Sequence, residues 1–234
     1  MRRAFLDEIE FPSAARVLEV GCGTGVLTRV LARLPGIESV LGVDLAPALV
    51  KRARALAPGL SNVTFKEADA RSLPLADGSF DVVVFDSTLS HVPTPEQALA
   101  EAFRVLRAPG SLAVFDGDYS TTTVALGDDD PLQSCVRAMM DNSLTDRWVV
   151  RRLPALARGC GFEDPRLRSY GIVESTDVTY MLTIVDRGVD ILRAEDRIGA
   201  DLATALKAEA RRRVDAGAFF GHIAYASLIA WKTD

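Results

Sequence analysis

From residue 16 onward, short runs of β-branched and aliphatic residues alternate with amphipathic stretches of helical period. This alternation constrains the fold most strongly, because it is the pattern of a parallel sheet whose strands are joined by crossover helices. In the first unit, Arg16-Val17-Leu18-Glu19-Val20 reads as a strand. Gly21 through Gly25 interrupt it, and Val26, Leu27, Val30, Leu31 and Leu34 then recur at helical spacing until Pro35-Gly36. A second strand, 39–43, ends at Asp44, and Pro47 sits in the first turn of the helix that follows, which is expected to reach Ala57. A third strand, 62–66, precedes Glu67-Ala68-Asp69-Ala70. The run 80–85 is apolar at nearly every position, as a central parallel strand covered on both faces should be. Thr94-Pro95 starts a helix with Ala98, Leu99, Ala102, Phe103 and Leu106 on one face. Pro109-Gly110 is expected to end it before a fifth strand, 111–115. A further helix is expected over 148–161, and two last strands over 166–173 and 222–231.

Seven strands with intervening helices make an α/β sheet, and 234 residues with 48% hydrophobic content suffice for a single domain. Two stretches depart from the alternation: 117–147, and the helical segment 177–216 between the last two strands. They are candidate lids over a substrate. The second carries Val178, Met181, Leu182, Ile184, Val185, Val189, Ile191 and Leu192, more apolar surface than one solvated helix requires, so additional core is the competing reading.

No run approaches the roughly twenty apolar residues of a membrane span, and MRRAFLDEIEF lacks the apolar stretch of a signal peptide. A cytoplasmic protein without membrane partners is expected. Cys22, Cys135 and Cys160 are odd in number and widely spaced, which suggests neither a disulfide framework nor a metal knuckle. A net charge of −5 argues against nucleic acid as the main partner and favours a small-molecule substrate. The cluster Arg211, Arg212 and Arg213 reads as a solvated helical end rather than an anion site. Asp128-Asp129-Asp130 before Pro131 reads as a surface loop entering a helix, so no metal is expected. The oligomeric state is not legible, and a homodimer is one option.

In an open α/β sheet, ligands bind beyond the carboxyl ends of the strands. The segments to inspect are therefore Gly21 to Gly25, Asp44 and Leu45, Asp69 and Ala70, 85–91, and 116–119. The first turn has the spacing G-x-G-x-G, with Val26 where a dinucleotide fold places its third glycine. Its glycines remove β-carbons that would obstruct a ligand. Glu19 just before it suits a cationic ammonium better than a diphosphate.

These features together resemble the class I S-adenosylmethionine (SAM)-dependent methyltransferases, in particular their ubiquinone/menaquinone-biosynthesis-like, small-molecule branch. The resemblance rests on VLEVGCGTG (17–25), GVDLAP (42–47), EADA (67–70), FDVVVFDSTLSHVP (80–93) and EAFRVLRAPGSLAVFD (101–116), in the family's order and spacing. It covers roughly 16–116, the expected cofactor-binding core, and the last third matches in element order only. It implies a Rossmann-like, seven-stranded, mostly parallel sheet, with SAM as cofactor and S-adenosylhomocysteine as product. By the same resemblance, Glu19 and the backbone of Gly21, Cys22, Gly23, Thr24 and Gly25 hold the methionine moiety, and Asp44 accepts both ribose hydroxyls. Leu45 packs on the adenine, Asp69 and the Ala70 backbone meet its amino group, and the chain at Phe85, Asp86 and Ser87 faces the ammonium end.

Methyl transfer from a sulfonium requires alignment more than acid-base help. If a base is used, His91 just beyond the central strand is the first candidate, against the alternative of a histidine bonding local backbone. His222, Asp118 and Tyr119 follow, and Asp116 is expected to orient a neighbour. The segment FDSTLSHVP lacks the N/D-P-P-Y/F of enzymes that methylate amines of nucleic-acid bases. A SAM-binding protein that transfers no methyl group and, further off, an NAD(P)-dependent oxidoreductase are the alternatives.

Overall fold

The computed structural model describes residues 1–233. In chain order the elements are α1 (Arg2–Asp7), β1 (Ala15–Val20), α2 (Val26–Leu31), β2 (Ile37–Asp44), α3 (Pro47–Ala55), β3 (Val63–Glu67) and β4 (Phe80–Asp86). A 3₁₀ turn (Leu89–His91) leads to α4 (Pro95–Val105), β5 (Leu106–Thr123), α5 (Leu132–Ser143), α6 (Val149–Gly159) and β6 (Glu163–Glu174). The chain then forms α7 (Thr179–Ala194), α8 (Ala200–Asp215) and β7 (Gly221–Lys232).

The seven strands form one sheet in the order β3-β2-β1-β4-β5-β7-β6. The pairs β1–β2, β1–β4, β2–β3 and β4–β5 are parallel. Lys232, at the end of β7, donates to the carbonyls of Phe103 and Leu106, whereas Ala224 near its start donates to Thr121 late in β5. β7 therefore runs against β5. β4 is the middle strand, buried from Phe80 to Phe85 as its unbroken apolar run requires. Strand order reverses between β1 and β4, where the fold rule places a ligand.

Two elements differ from expectation. α2 stops at Leu31, because Pro35 disfavours helical geometry at the residue before it and Gly36 turns the chain at φ 81°. β5 begins at Leu106 rather than 111. Its register with β4 passes from Phe80↔Leu106 directly to Val82↔Ser111, so residues 107–110 bulge opposite Asp81. Pro109-Gly110 thus marks a bulge within a strand, not the gap between helix and strand. β5 also continues to Thr123, through the start of the stretch expected to be an insertion.

The chain divides into two compact units: 1–116 with 149–169 and 226–234, and 117–148 with 170–225. Each has its own core. In the first, Leu18, Val83, Phe85, Leu99, Leu112 and Leu153 lie within one buried cluster. In the second, Leu132, Cys135, Met181, Val185, Val189 and Leu206 form another. α7 and α8 thus pack an apolar core of their own, as the surplus of aliphatic residues in 177–216 allowed.

Candidate active site

Two adjoining clefts of the first unit meet at Gly21. One, of about 490 Å³, is lined by Asp44, Leu45, Asp69, Ala70, Ser87 and His91 among others. The other, of about 760 Å³, is lined by Arg2, Glu19, Cys22, Gly23, Val26 and Asp86 among others. Eleven of the site residues singled out in the sequence therefore line two adjoining hollows, and one of the eleven, Gly21, lines both.

The glycine turn is held by strand β2. Val43 carbonyl accepts from both Gly21 and Cys22, and Asp44 Oδ2 accepts from the Gly23 N–H at 2.8 Å. Asp44 Oδ1 accepts from the Ala46 N–H at 2.9 Å, which orders the entry to α3. A carboxylate has about four acceptor positions, so two remain for a ligand. The glycines serve different purposes. At Gly23 (φ 53°) an added β-carbon meets nothing within 4 Å, and this is the position left open to a ligand. At Gly21 it would collide with the Thr88 side chain, and at Gly25 it would come within 2.6 Å of the Phe65 ring. The expectation that all three glycines admit a ligand is corrected: Gly21 and Gly25 make room for the protein itself. Thr24 and Gly25 line neither cleft, and the Thr24 carbonyl accepts from Arg29 at 2.7 Å.

Glu19 is 2% exposed and accepts a hydrogen bond from the Thr28 hydroxyl. No cation among the described residues pairs with it. Burial pushes its carboxyl up to about 8, and the nearby charges of Asp86 and Asp44 push the same way. Such a group is poised to receive a ligand cation. Thr28 is a contributor that helical periodicity alone did not single out. Cys22 is buried against Val50, Ala53 and Phe65, and burial raises its thiol to about 12, so it packs rather than reacts. Asp86 pairs with Arg2 of α1 at 2.8 Å, a partner 84 positions away that no local motif indicates.

At the other end, Asp69 Oδ1 accepts from the Arg71 backbone, and both its oxygens pair with the Arg71 guanidinium. These bonds hold its carboxyl down to about 2. Arg71 lines the same cleft and was not foreseen. Leu45 is 64% exposed there, an apolar surface facing open space, as a flat base would require. Residues 73–77 are anchored from α4: Glu101 accepts from the Leu73 N–H at 2.6 Å, and Arg104 donates to the Leu73 and Leu75 carbonyls and pairs with Asp77. The charged residues of the EAFR segment thus secure a neighbouring loop rather than face a ligand.

The third wall follows β4. Phe85 is fully buried, so its side chain belongs to the core and only Asp86 and Ser87 reach the clefts. Ser87 adopts the left-handed conformation (φ 54°), a strained geometry for a non-glycine residue. His91 closes the 3₁₀ turn, exposed on the cleft wall. Asp116 is fully buried and accepts from both the Ser90 N–H and the Ser90 hydroxyl at 3.0 Å. It orients the turn that carries His91, as expected. Asp118, Tyr119 and His222 belong to the second unit. There Asp118 accepts from Ser120, Tyr119 is buried in the core, and His222 lies 3.5 Å from the Thr121 carbonyl.

The basic cluster is not simply a solvated helical end. Arg213 is 8% exposed and pairs with Asp130 at 2.6 Å and Glu209 at 2.8 Å, while Arg211 pairs with Asp186 and Arg212 with Glu209. Asp130 also accepts from the Leu126 and Leu132 N–H groups, so it ties the start of α5 to α8.

A methyltransferase-domain family model matches residues 18–114. The chain is 30% identical to an uncharacterized 37.1 kDa protein in transposon TN4556 of Streptomyces fradiae, over 99% of this chain and 67% of that protein. It is 35% identical to the malonyl-[acyl-carrier protein] O-methyltransferase of Geobacter sulfurreducens, over 81% of this chain and 68% of the relative. It spans about half the length of several other curated methyltransferases that it matches. Among solved structures, the YcgJ protein from Bacillus subtilis superposes with a TM-score of 0.69 at 20% identity, covering 100% of both chains. The [4+2]-cyclase SpnF superposes at 0.60 with 26% identity, over 99% of this chain and 79% of that one. The glycine turn, the acids that end the strands and these relatives agree: the chain belongs to the class I SAM-dependent methyltransferase family.

Proposed function

We propose that the protein transfers the methyl group of SAM to an oxygen, nitrogen or carbon nucleophile of a small, partly apolar metabolite. The observation that carries this reading is a pair of carboxylates at the glycine turn: Glu19 lines the same cleft as the open Gly23 position, and Asp44 bonds its N–H. Glu19 is buried and lacks a cation, while Asp44 is ordered by two backbone donors with acceptor capacity to spare. The residues present fit the cofactor. Glu19 and Asp86 would hold its ammonium end, Asp44 the ribose hydroxyls, Leu45 the face of the adenine, and Asp69 with the Ala70 backbone its amino group. When bound, SAM supplies a methyl group already activated by the sulfonium.

The chain's own work is then to align the acceptor for in-line attack and keep water out. His91, which lines the cleft with Ser87, would take a proton from the acceptor at a ring nitrogen. The segments 117–147 and 177–216 are our candidates for acceptor recognition, and 1–234 would act as one methyltransferase unit around the 16–116 core. A cytoplasmic location and the exclusion of nucleic acid remain part of this reading, supported by three free cysteines and the net charge of −5.

The test is to follow S-adenosylhomocysteine release from SAM across a panel of small phenols, quinols, amines and carboxylic acids. Asp44→Ala should weaken SAM binding tens-fold or more by removing two charge-assisted hydrogen bonds, and His91→Ala should lower turnover at saturating acceptor. Wild-type affinity in the first would remove Asp44 from the site, and unchanged turnover in the second would remove His91 as base. The similarity to a [4+2]-cyclase at 26% identity favours one second reading, a SAM-binding protein that transfers no methyl group. Tight SAM binding with no turnover across the panel would select it.

A further inference from the structure

The second unit contains a cleft of its own, of about 200 Å³, that the cofactor reading leaves unused. Its walls come from the end of β5 (Tyr119, Ser120 and Thr122), from α5, and from Arg147 and Trp148 beyond it. Val136 and Met140 supply an apolar face, and Trp148 is 45% exposed. Two guanidinium groups, Arg137 and Arg147, line the cleft, and no acidic residue does. Arg147 is compensated, since it pairs with Asp141 at 2.6 Å and lies over the Trp148 ring at 5.7 Å. Arg137 has no ion-pair or hydrogen-bond partner among the described residues.

One buried hydroxyl in the same wall is enclosed rather than open to the cleft. Thr122 is 3% exposed, and its hydroxyl has no hydrogen-bond partner. Buried hydroxyls are rarely left so, because desolvation without compensation is costly. The nearby Gln133 amide bonds the Thr122 carbonyl at 2.9 Å and the Val124 N–H at 3.1 Å rather than this hydroxyl. Those two bonds also fasten α5 to the end of β5, so the cleft is built on regular elements rather than on loops.

We propose that this cleft binds a small aromatic carboxylate, with its ring against Trp148, Val136 and Met140 and its charge on Arg137. A cavity of about 150 Å³ is enough to take up benzene, so the volume suits a single ring with a short acidic arm. The exposed indole and apolar floor select a ring, and the uncompensated guanidinium selects an anion.

The test is a titration of the whole protein with benzoate, reading the indole N–H resonance of Trp148, which is separated from that of Trp231 by a Trp231→Phe variant. Benzyl alcohol serves as the neutral analogue and inorganic phosphate as the ringless anion. Benzoate should shift the Trp148 signal saturably and bind at least about tenfold more tightly than either control. Arg137→Gln, at an exposed and unpaired position, should melt like the wild type and weaken benzoate about tenfold. The absence of a saturable shift, equal affinity in Arg137→Gln, or equal binding of benzyl alcohol or phosphate would each overturn the proposal.

Discussion

Asp44 and Glu19 show how much of a site a single residue type can announce. An acid at the end of the second strand and another before the glycine turn were legible because strand-end position and charge are both sequence properties. What each does in the free protein was not. Asp44 spends one lone pair of each oxygen on backbone donors, one local at Ala46 and one at Gly23 that tertiary folding brings in from 21 positions away. Glu19 is protonated more readily than a surface acid because burial disfavours its charge. Its folded value of about 8 lies above the ordinary 4.5, so the folded state holds a proton that the unfolded chain has released at intermediate pH. Glu19 therefore favours the folded state less and less as pH rises from about 4.5 to about 8, a loss on the order of 4–5 kcal/mol if the group acts alone. A cation delivered beside Glu19 reverses this. SAM affinity should accordingly rise between about pH 6 and about pH 8, and Glu19→Gln should abolish the rise. Calorimetry across that range checks it, and pH-independent binding by the wild type would contradict the assignment.

At the scale of elements, the strand–turn–helix units were legible from periodicity, and β1, β2, β3 and β4 fall within two residues of expectation. The misses have physical causes. Pro109-Gly110 punctuates a chain whether it ends a helix or bulges a strand, and only the register against β4 distinguishes the two. Thr121, Thr122 and Thr123 favour a strand by their β-branching, a signal outweighed in the reading by the break in alternation at Gly117. The 3₁₀ turn after β4 depends on Asp116, which contributes through Ser90 rather than by touching a ligand. Asp116→Ala would leave the Ser90 N–H and hydroxyl unsatisfied in a fully buried place, at a cost of about 2–4 kcal/mol. Thermal or urea unfolding should show that loss, together with weaker SAM binding as the Ser87–His91 wall relaxes. Stability within experimental error of the wild type would mean that the turn does not rely on Asp116.

At the scale of the molecule, the sequence motifs reach only to about residue 116, and the boundary of the first continuous segment of the cofactor-binding unit falls at the same place. The remaining chain was legible as elements but not as a unit, because the partners of α7 and α8 in their core come from α5 and β7, far away in sequence. The Arg213–Asp130 pair, 83 positions apart, was hidden for the same reason. The central claim concerns the first unit alone: its two clefts together form a SAM site. Calorimetric titration of the purified protein with SAM, S-adenosylhomocysteine and NAD(P)H tests it most directly. The account predicts saturable binding of the two SAM-family ligands with dissociation constants on the order of micromolar, and no response to the nicotinamide cofactor. A folded sample that binds neither SAM nor S-adenosylhomocysteine, or that binds NAD(P)H in their place, would contradict it.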